Sequence, residues 1–135
     1  MSIQDIALRF SEQNSYEGAR FDVQIIPGEV EVLQIIVGEL EEVPVYLSIT
    51  DSQILCIAYL WDESEVNQKK RADMLETMLN MNIPMPLSSF ARIGDKYAIF
   101  GAMAVTSSFD DVAHEVIVLS ENTVEALSAL EEFLV

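Results

Sequence analysis

Two spacings of apolar residues alternate along this chain. Behind Ser2 and Asp5, whose separation matches a capping box, Ile3, Ile6, Ala7 and Phe10 recur at helical spacing until Asn14 to Gly18 interrupts them. From Phe21 the spacing shortens to two: Phe21, Val23 and Ile25 alternate with polar residues, Pro27-Gly28 turns the chain, and Val30 to Val37 continues rich in β-branched side chains. This predicts a hairpin. After the acidic loop Gly38 to Glu42, Val43, Val45, Leu47 and Ile49 alternate with polar or aromatic neighbours, which predicts a strand with one dry face and Pro44 at its start or edge. Thr50 to Gln53 reads as a turn. Ile54 to Trp61 is apolar at nearly every position, the pattern of a central strand covered on both faces.

Asp62, Ser64 and Glu65 carry helix-start chemistry, and no Gly or Pro follows until Pro84 and Pro86, so a second helix of four to five turns is expected over Val66 to Asn82. Leu87 to Ile93 and Lys96 to Val105 flank Gly94-Asp95, a strong hairpin signal, and the strand from Tyr97 to Val105 again reads as buried on both faces. Gly101 within it marks a bulge or a close backbone approach. Ser108 with Asp111 repeats the capping-box spacing, and Val112, Val116, Leu119, Leu127 and Leu130 trace a long terminal helix. The predicted order is α-β-β-β-β-α-β-β-α. Strands joined by short turns build a mostly antiparallel sheet with flanking helices, so the fold class is α+β, and with no linker or repeat, residues 1–135 are expected to form one domain.

Composition supports a packed chain: 135 residues are half apolar, and Gly and Pro together are few. The longest uncharged apolar run, Tyr97 to Val105, is about half the length that crosses a bilayer. Met1-Ser2-Ile3-Gln4-Asp5 has neither the positive region nor the apolar core of a secretory signal, and the only cysteine, Cys56, lies in an apolar run, so a reducing, cytoplasmic setting is expected.

Charge narrows the partners. Twenty-three acids against seven bases give a net −16, which repels nucleic-acid phosphates and anionic lipid surfaces, so neither nucleic acid nor membrane is an expected direct partner. Residues 1–63 carry −10 and residues 109–135 carry −7, leaving the middle at +1. Acidic ends of this kind suit steering of a basic protein partner. The basic cluster Lys69, Lys70 and Arg71 points around a helix rather than along one face, as a solvated helix start does.

Catalytic motifs are missing: there is no phosphate-binding glycine loop, no paired cysteines and no His-Glu-x-x-His, and no cofactor is implied. A Cys56–His114 couple would need an activated thiol, which an apolar run does not supply. Asp111, His114 and Glu115 have the i, i+3, i+4 spacing that places three metal ligands on one side of a helix; the commoner reading is a first helical turn enriched in acids. This trio defines the alternative function, a small carboxylate-based metal-dependent protein or enzyme. Glu39, Glu41 and Glu42, and separately Asp62, Glu63 and Glu65, are acidic clusters at element boundaries without the pattern of a calcium loop.

The second helix carries the main functional expectation. Met74, Met78, Met81 and Met85 form one stripe, and Leu75, Leu79 and Ile83 widen the apolar face beyond what one core requires. The stripe is either core, the commoner case, or a flexible surface for a homodimer or a client segment.

Val43-Pro44-Val45-Tyr46-Leu47-Ser48-Ile49 through Gln53-Ile54-Leu55, then Leu87-Ser88-Ser89-Phe90, Tyr97-Ala98-Ile99-Phe100-Gly101 and the Glu-rich tail from Ala126 to Leu134 resemble the YjfI-like family of uncharacterised bacterial proteins. The resemblance covers nearly the whole chain and carries no site residues. It implies a fold similar to the YbjN and type III secretion chaperone group, small acidic α+β proteins that commonly dimerise and bind other proteins, and a link to bacterial envelope stress. The expectation is a non-enzymatic, chaperone-like or adaptor-like interaction module with an unidentified protein partner.

Overall fold

The computed structural model describes residues 1–13 and 15–135. Helix α1, Ile3–Glu12, starts with the reciprocal cap expected of Ser2 and Asp5: the Ser2 hydroxyl accepts the Asp5 backbone N–H at 3.1 Å, and the Asp5 carboxylate accepts the Ser2 N–H at 3.0 Å. Two donors that a helix start leaves unpaired are thereby satisfied. Asn14, the first residue of the predicted break, lies outside the described residues. Ser15–Tyr16 then form a two-residue strand, β1, too short to leave a periodic trace in the sequence.

The remaining strands are β2, Ala19–Ile26; β3, Val32–Val37; β4, Val45–Ile49; β5, Ile54–Asp62; β6, Ser89–Ile93; and β7, Lys96–Met103. They form one sheet in the order β1-β2-β3-β4-β5-β7-β6, with antiparallel neighbours throughout. The α+β class and the succession of elements agree with the sequence reading, β1 being the addition. β5 is central, as expected. Gly94, at φ 59°, occupies the left-handed position of the β6–β7 turn.

Helix α2, Arg71–Met81, is shorter than the expected Val66 to Asn82. Val66 bridges Leu134, and the Asn67 N–H donates to the Phe133 carbonyl at 2.9 Å, so the chain's last turn holds this segment extended. Two 3-10 turns, Glu63–Glu65 and Gln68–Lys70, occupy the rest. Helix α3, Phe109–Ala129, opens on the predicted cap, with the Ser108 hydroxyl accepting the Asp111 N–H at 3.1 Å.

All three helices lie on one face of the sheet. Ile3, Ile6 and Phe10 of α1, and Val112, Val116 and Leu119 of α3, share a core with the alternate residues of β3, β4 and β5 that include Leu33, Ile35, Leu47 and Cys56. A second cluster joins Met74 and Met78 of α2 to Trp61, Tyr97, Leu130 and Phe133. Between Tyr59 and Asp62 the β5–β7 register shifts by one residue, and this bulge turns Trp61 to the helix side. The sequence reading of β5 and β7 as covered on both faces is corrected here. Leu55, Ile57 and Phe100 point to the opposite side, are half-buried, and belong to neither cluster. Strands with apolar residues on both faces have a cover on only one.

Candidate functional site

Helix α2 and edge strand β6 enclose an apolar concavity. Leu75, Met78 and Leu79 form one wall, Phe90 and Ala91 the other, and Tyr97 lies at its base, around a volume of about 340 Å³. Leu79, on the groove wall, is 69% exposed, and Ile83 and Leu87 in the connection that follows α2 are 90% and 53% exposed. Ile93, 42% exposed, pairs with Lys96 and lies on the other face of β6 from Phe90 and Arg92.

Backbone chemistry makes the groove rigid. In a two-residue hairpin the closing pair, here Ile93–Lys96, is hydrogen-bonded, so Phe90 and Arg92 turn their backbone groups away from β7. The Asn82 side-chain oxygen accepts the Phe90 N–H at 2.8 Å, tying the end of α2 to the sheet edge. The loop beyond is clamped by α3: Asn122 Nδ2 donates to the Pro86 carbonyl at 2.8 Å and to the Ser88 hydroxyl at 3.0 Å. These bonds hold Leu87 in a left-handed backbone conformation, φ 62°, that a leucine adopts only under constraint.

Arginines close one end. Arg71 donates to Glu63 at 2.6 Å, Arg92 approaches the same oxygen at 3.3 Å, and the Tyr97 hydroxyl donates to the other at 3.1 Å. Burial pushes the Glu63 carboxyl upward, but the bonds from Arg71 and Tyr97 and the charges of Arg71 and Arg92 prevail and hold it below its ordinary value. The groove lining thus carries two arginines and no acid, in a chain with 23 acids.

The sequence-predicted residues divide on this geometry. Met74 is fully buried and Met78 is 5% exposed, both inside the second core cluster, so this half of the proposed methionine surface is core. They face Trp61 and Tyr97, which the sheet turns toward α2. Met81 and Met85 are half-buried at the loop side, beside Pro84 and Asn122. The exposed apolar width lies one position away, in Leu79 and Ile83.

Asp111, His114 and Glu115 do not converge. Asp111 and His114 face solvent, His114 Nδ1 lying 3.4 Å from Glu17, whereas Glu115 points inward and is 8% exposed. Among the described residues no group of three His, Cys, Asp or Glu side chains is arranged to hold a metal. Asp62 and Glu63 are neutralised by Lys96, at 2.9 Å, and by Arg71. Glu39, Glu41 and Glu42 rim a separate cleft of about 570 Å³ against Val124 and Leu127 of α3. Cys56 is fully buried, and desolvation with the nearby Glu115 charge pushes its thiol to about 12, the opposite of an activated nucleophile.

Residues 1–134 match the family model described as an uncharacterised protein conserved in bacteria, DUF2170. The chain belongs to this family. No curated protein matches the sequence of this DUF2170 chain. Among solved structures it is similar to YbjN from E. coli, described there as a candidate transcription regulator, with a TM-score of 0.70 and 12% identity over 99% of this chain and 94% of that one. At that identity the likeness shows a shared fold. The DUF2170 chain has no helix, among the described residues, long and apolar enough to cross a membrane.

The residues that sequence reasoning missed here are Asn82 and Asn122. The only available signal was their type, a polar residue at a position where the helical apolar face should continue.

Proposed function

We propose that this DUF2170 chain is a non-enzymatic protein-interaction module, chaperone-like or adaptor-like, that holds an apolar segment of a protein partner in the α2–β6 groove. One observation carries the reading: a groove walled by Leu75, Leu79 and Phe90, extended by exposed Ile83 and Leu87, and fixed in shape by Asn82 and Asn122. Preformed apolar concavities with few polar anchors are where small ligands and peptide side chains bind. Arg71 and Arg92 at one end, paired with Glu63 and, for Arg92, also lying 3.8 Å from Asp95, favour a segment that carries a carboxylate there. A regulator acting through proteins fits the charge better than one acting on DNA, because −16 opposes phosphate contacts. The cytoplasmic setting and the envelope-stress link expected from the sequence remain part of this proposal.

Affinity capture from the native host with the wild-type chain and Leu79→Glu, read by mass spectrometry, tests it. A partner held by the wild type and lost from a variant with an unchanged circular dichroism spectrum is the expected result. A variant that captures the same proteins in the same amounts contradicts the groove reading.

A further inference from the structure

β6 is the last strand of the sheet, and the groove runs along its outer edge. Successive side chains of a strand point to opposite faces, so a concavity lined by Phe90, Ala91 and Arg92 in succession must follow the strand's edge and reach its backbone. Phe90 stands opposite Ile99 and Arg92 opposite Tyr97, in the hairpin pairs whose N–H and C=O groups turn outward. Asn82 takes the Phe90 N–H. The Phe90 carbonyl and both backbone groups of Arg92 face outward with no neighbouring strand among the described residues. With no proline in Ser89–Ile93 and an unbroken register to β7, the edge can accept a further strand.

The groove is short and closed at one end. Three strand residues at ~3.3 Å each span about 10 Å. β6 enters at Asn82, and at the far end Arg71, Glu63 and Arg92 stand together across the groove. We infer that the occupant is the C-terminal tail of a partner protein, added to the outer edge of β6 as a parallel strand with its terminal carboxylate on Arg71 and Arg92. The inference rests on the groove reading above and adds which part of the partner enters and how it is held.

The closed end and its donors select a chain end over a passing segment. Arg71 donates to Glu63 through Nε, so its two Nη groups keep donors for a second carboxylate. Arg92 donates through Nε to the Gly94 carbonyl and through Nη1 to Glu63, while Nη2 lies 3.8 Å from the exposed Asp95, beyond hydrogen-bond length. Two guanidinium groups on one shared carboxylate leave positive charge at the groove's end, complementary to a terminal carboxylate. A segment that continued past this point would have to climb over the ion pairs, whereas one that stops there meets them with its charge. Because β6 runs from Asn82 toward the arginines, a tail ending on them runs in the same direction. In that register the Arg92 N–H donates to a tail carbonyl, and the Phe90 and Arg92 carbonyls accept tail N–H groups. The tail residue level with Phe90 points, as Phe90 does, to the helix side, where Leu75 and Leu79 receive an apolar side chain.

Two display libraries of random peptides test it on the full chain, one ending in a free carboxylate and one in which the random stretch is followed by a fixed extension. Enrichment is expected from the first alone, and the best peptide, synthesised as acid and as amide, should bind ~10-fold or more weakly as the amide. Arg71→Gln should remove most of that difference, Leu79→Glu should weaken acid and amide alike, and methylating the peptide nitrogens should weaken binding at alternate positions only, the mark of strand addition. If Arg71→Gln loses the native circular dichroism spectrum, the acid and amide comparison on the wild type decides, since it needs no variant. Peptides that bind equally as acid, amide or with the extension, yet are lost with Leu79→Glu, would overturn the tail and keep the groove. Failure of both libraries would overturn the tail, with a doubled chain mass in sedimentation pointing to a second copy on β6 and an undoubled mass removing the groove reading as well.

Discussion

Glu115 is the residue whose chemistry departs furthest from its place in the sequence pattern. It is 8% exposed on α3, and a methyl group added at Gly101 would overlap its carboxylate and come within 3.1 Å of the Leu87 carbonyl oxygen. The glycine in β7 is therefore room for the glutamate, which explains the close approach that Gly101 signalled. Burial raises the Glu115 carboxyl above its ordinary range, and the neighbouring His114 only partly offsets this. A group raised in the fold contributes stability below its unfolded value, about 4.3, and loses that contribution as pH climbs through the raised folded value. Glu115→Gln should therefore melt at a higher temperature than the wild type near neutral pH, and the difference should vanish near pH ~4, where both side chains are neutral. Thermal melts across that range check it; a variant that melts lower at neutral pH would show that the charged carboxylate is stabilised by something other than its visible neighbours.

At the scale of elements, α2 places core and surface on adjacent residues. Met78 is packed against Tyr97 and Trp61, whereas Leu79 is 69% exposed. Met78→Ala should cost about 2–5 kcal/mol, the range for buried large-to-small changes. Leu79→Ala should stay within about 0.5 kcal/mol, as exposed positions do. Urea unfolding of the two variants compares them, and equal losses would mean that α2 is not seated as described. Much of this element was readable in advance. The caps at Ser2 and Ser108, the Gly94-Asp95 turn and the alternation of β2 to β4 are local signals, and each marks an observed element. What was not readable depended on distant contacts. Helix α2 starts late because Val66 is held by Leu134, and the groove is shaped by Asn82 reaching Phe90 and by Asn122 reaching Pro86, 36 residues away. Apolar residues on both faces of β5 were recognised, but periodicity registers apolarity and not which side is covered. The methionine stripe was open between core and surface for the same reason: helical spacing identified one face, and only packing against Trp61 and Tyr97 puts Met74 and Met78 in the core.

For the whole molecule, charge and apolarity are segregated. Most acids occupy the helices and loops, Arg71 and Arg92 line one end of the groove, and the groove lining and the centre of the bare sheet carry no acid. That separation is what allows a strongly acidic chain to associate through chosen faces while repelling contact elsewhere. The central claim is that the groove holds an apolar segment of a protein partner, and the most direct measurement is calorimetric titration of that segment, made as a peptide, into the wild-type chain and Leu79→Glu over a range of temperatures. The account predicts a negative heat-capacity change for the wild type, the mark of apolar burial, and an affinity loss of ~10-fold or more for the variant. Equal affinities for the two chains, or binding without a heat-capacity change, would contradict it.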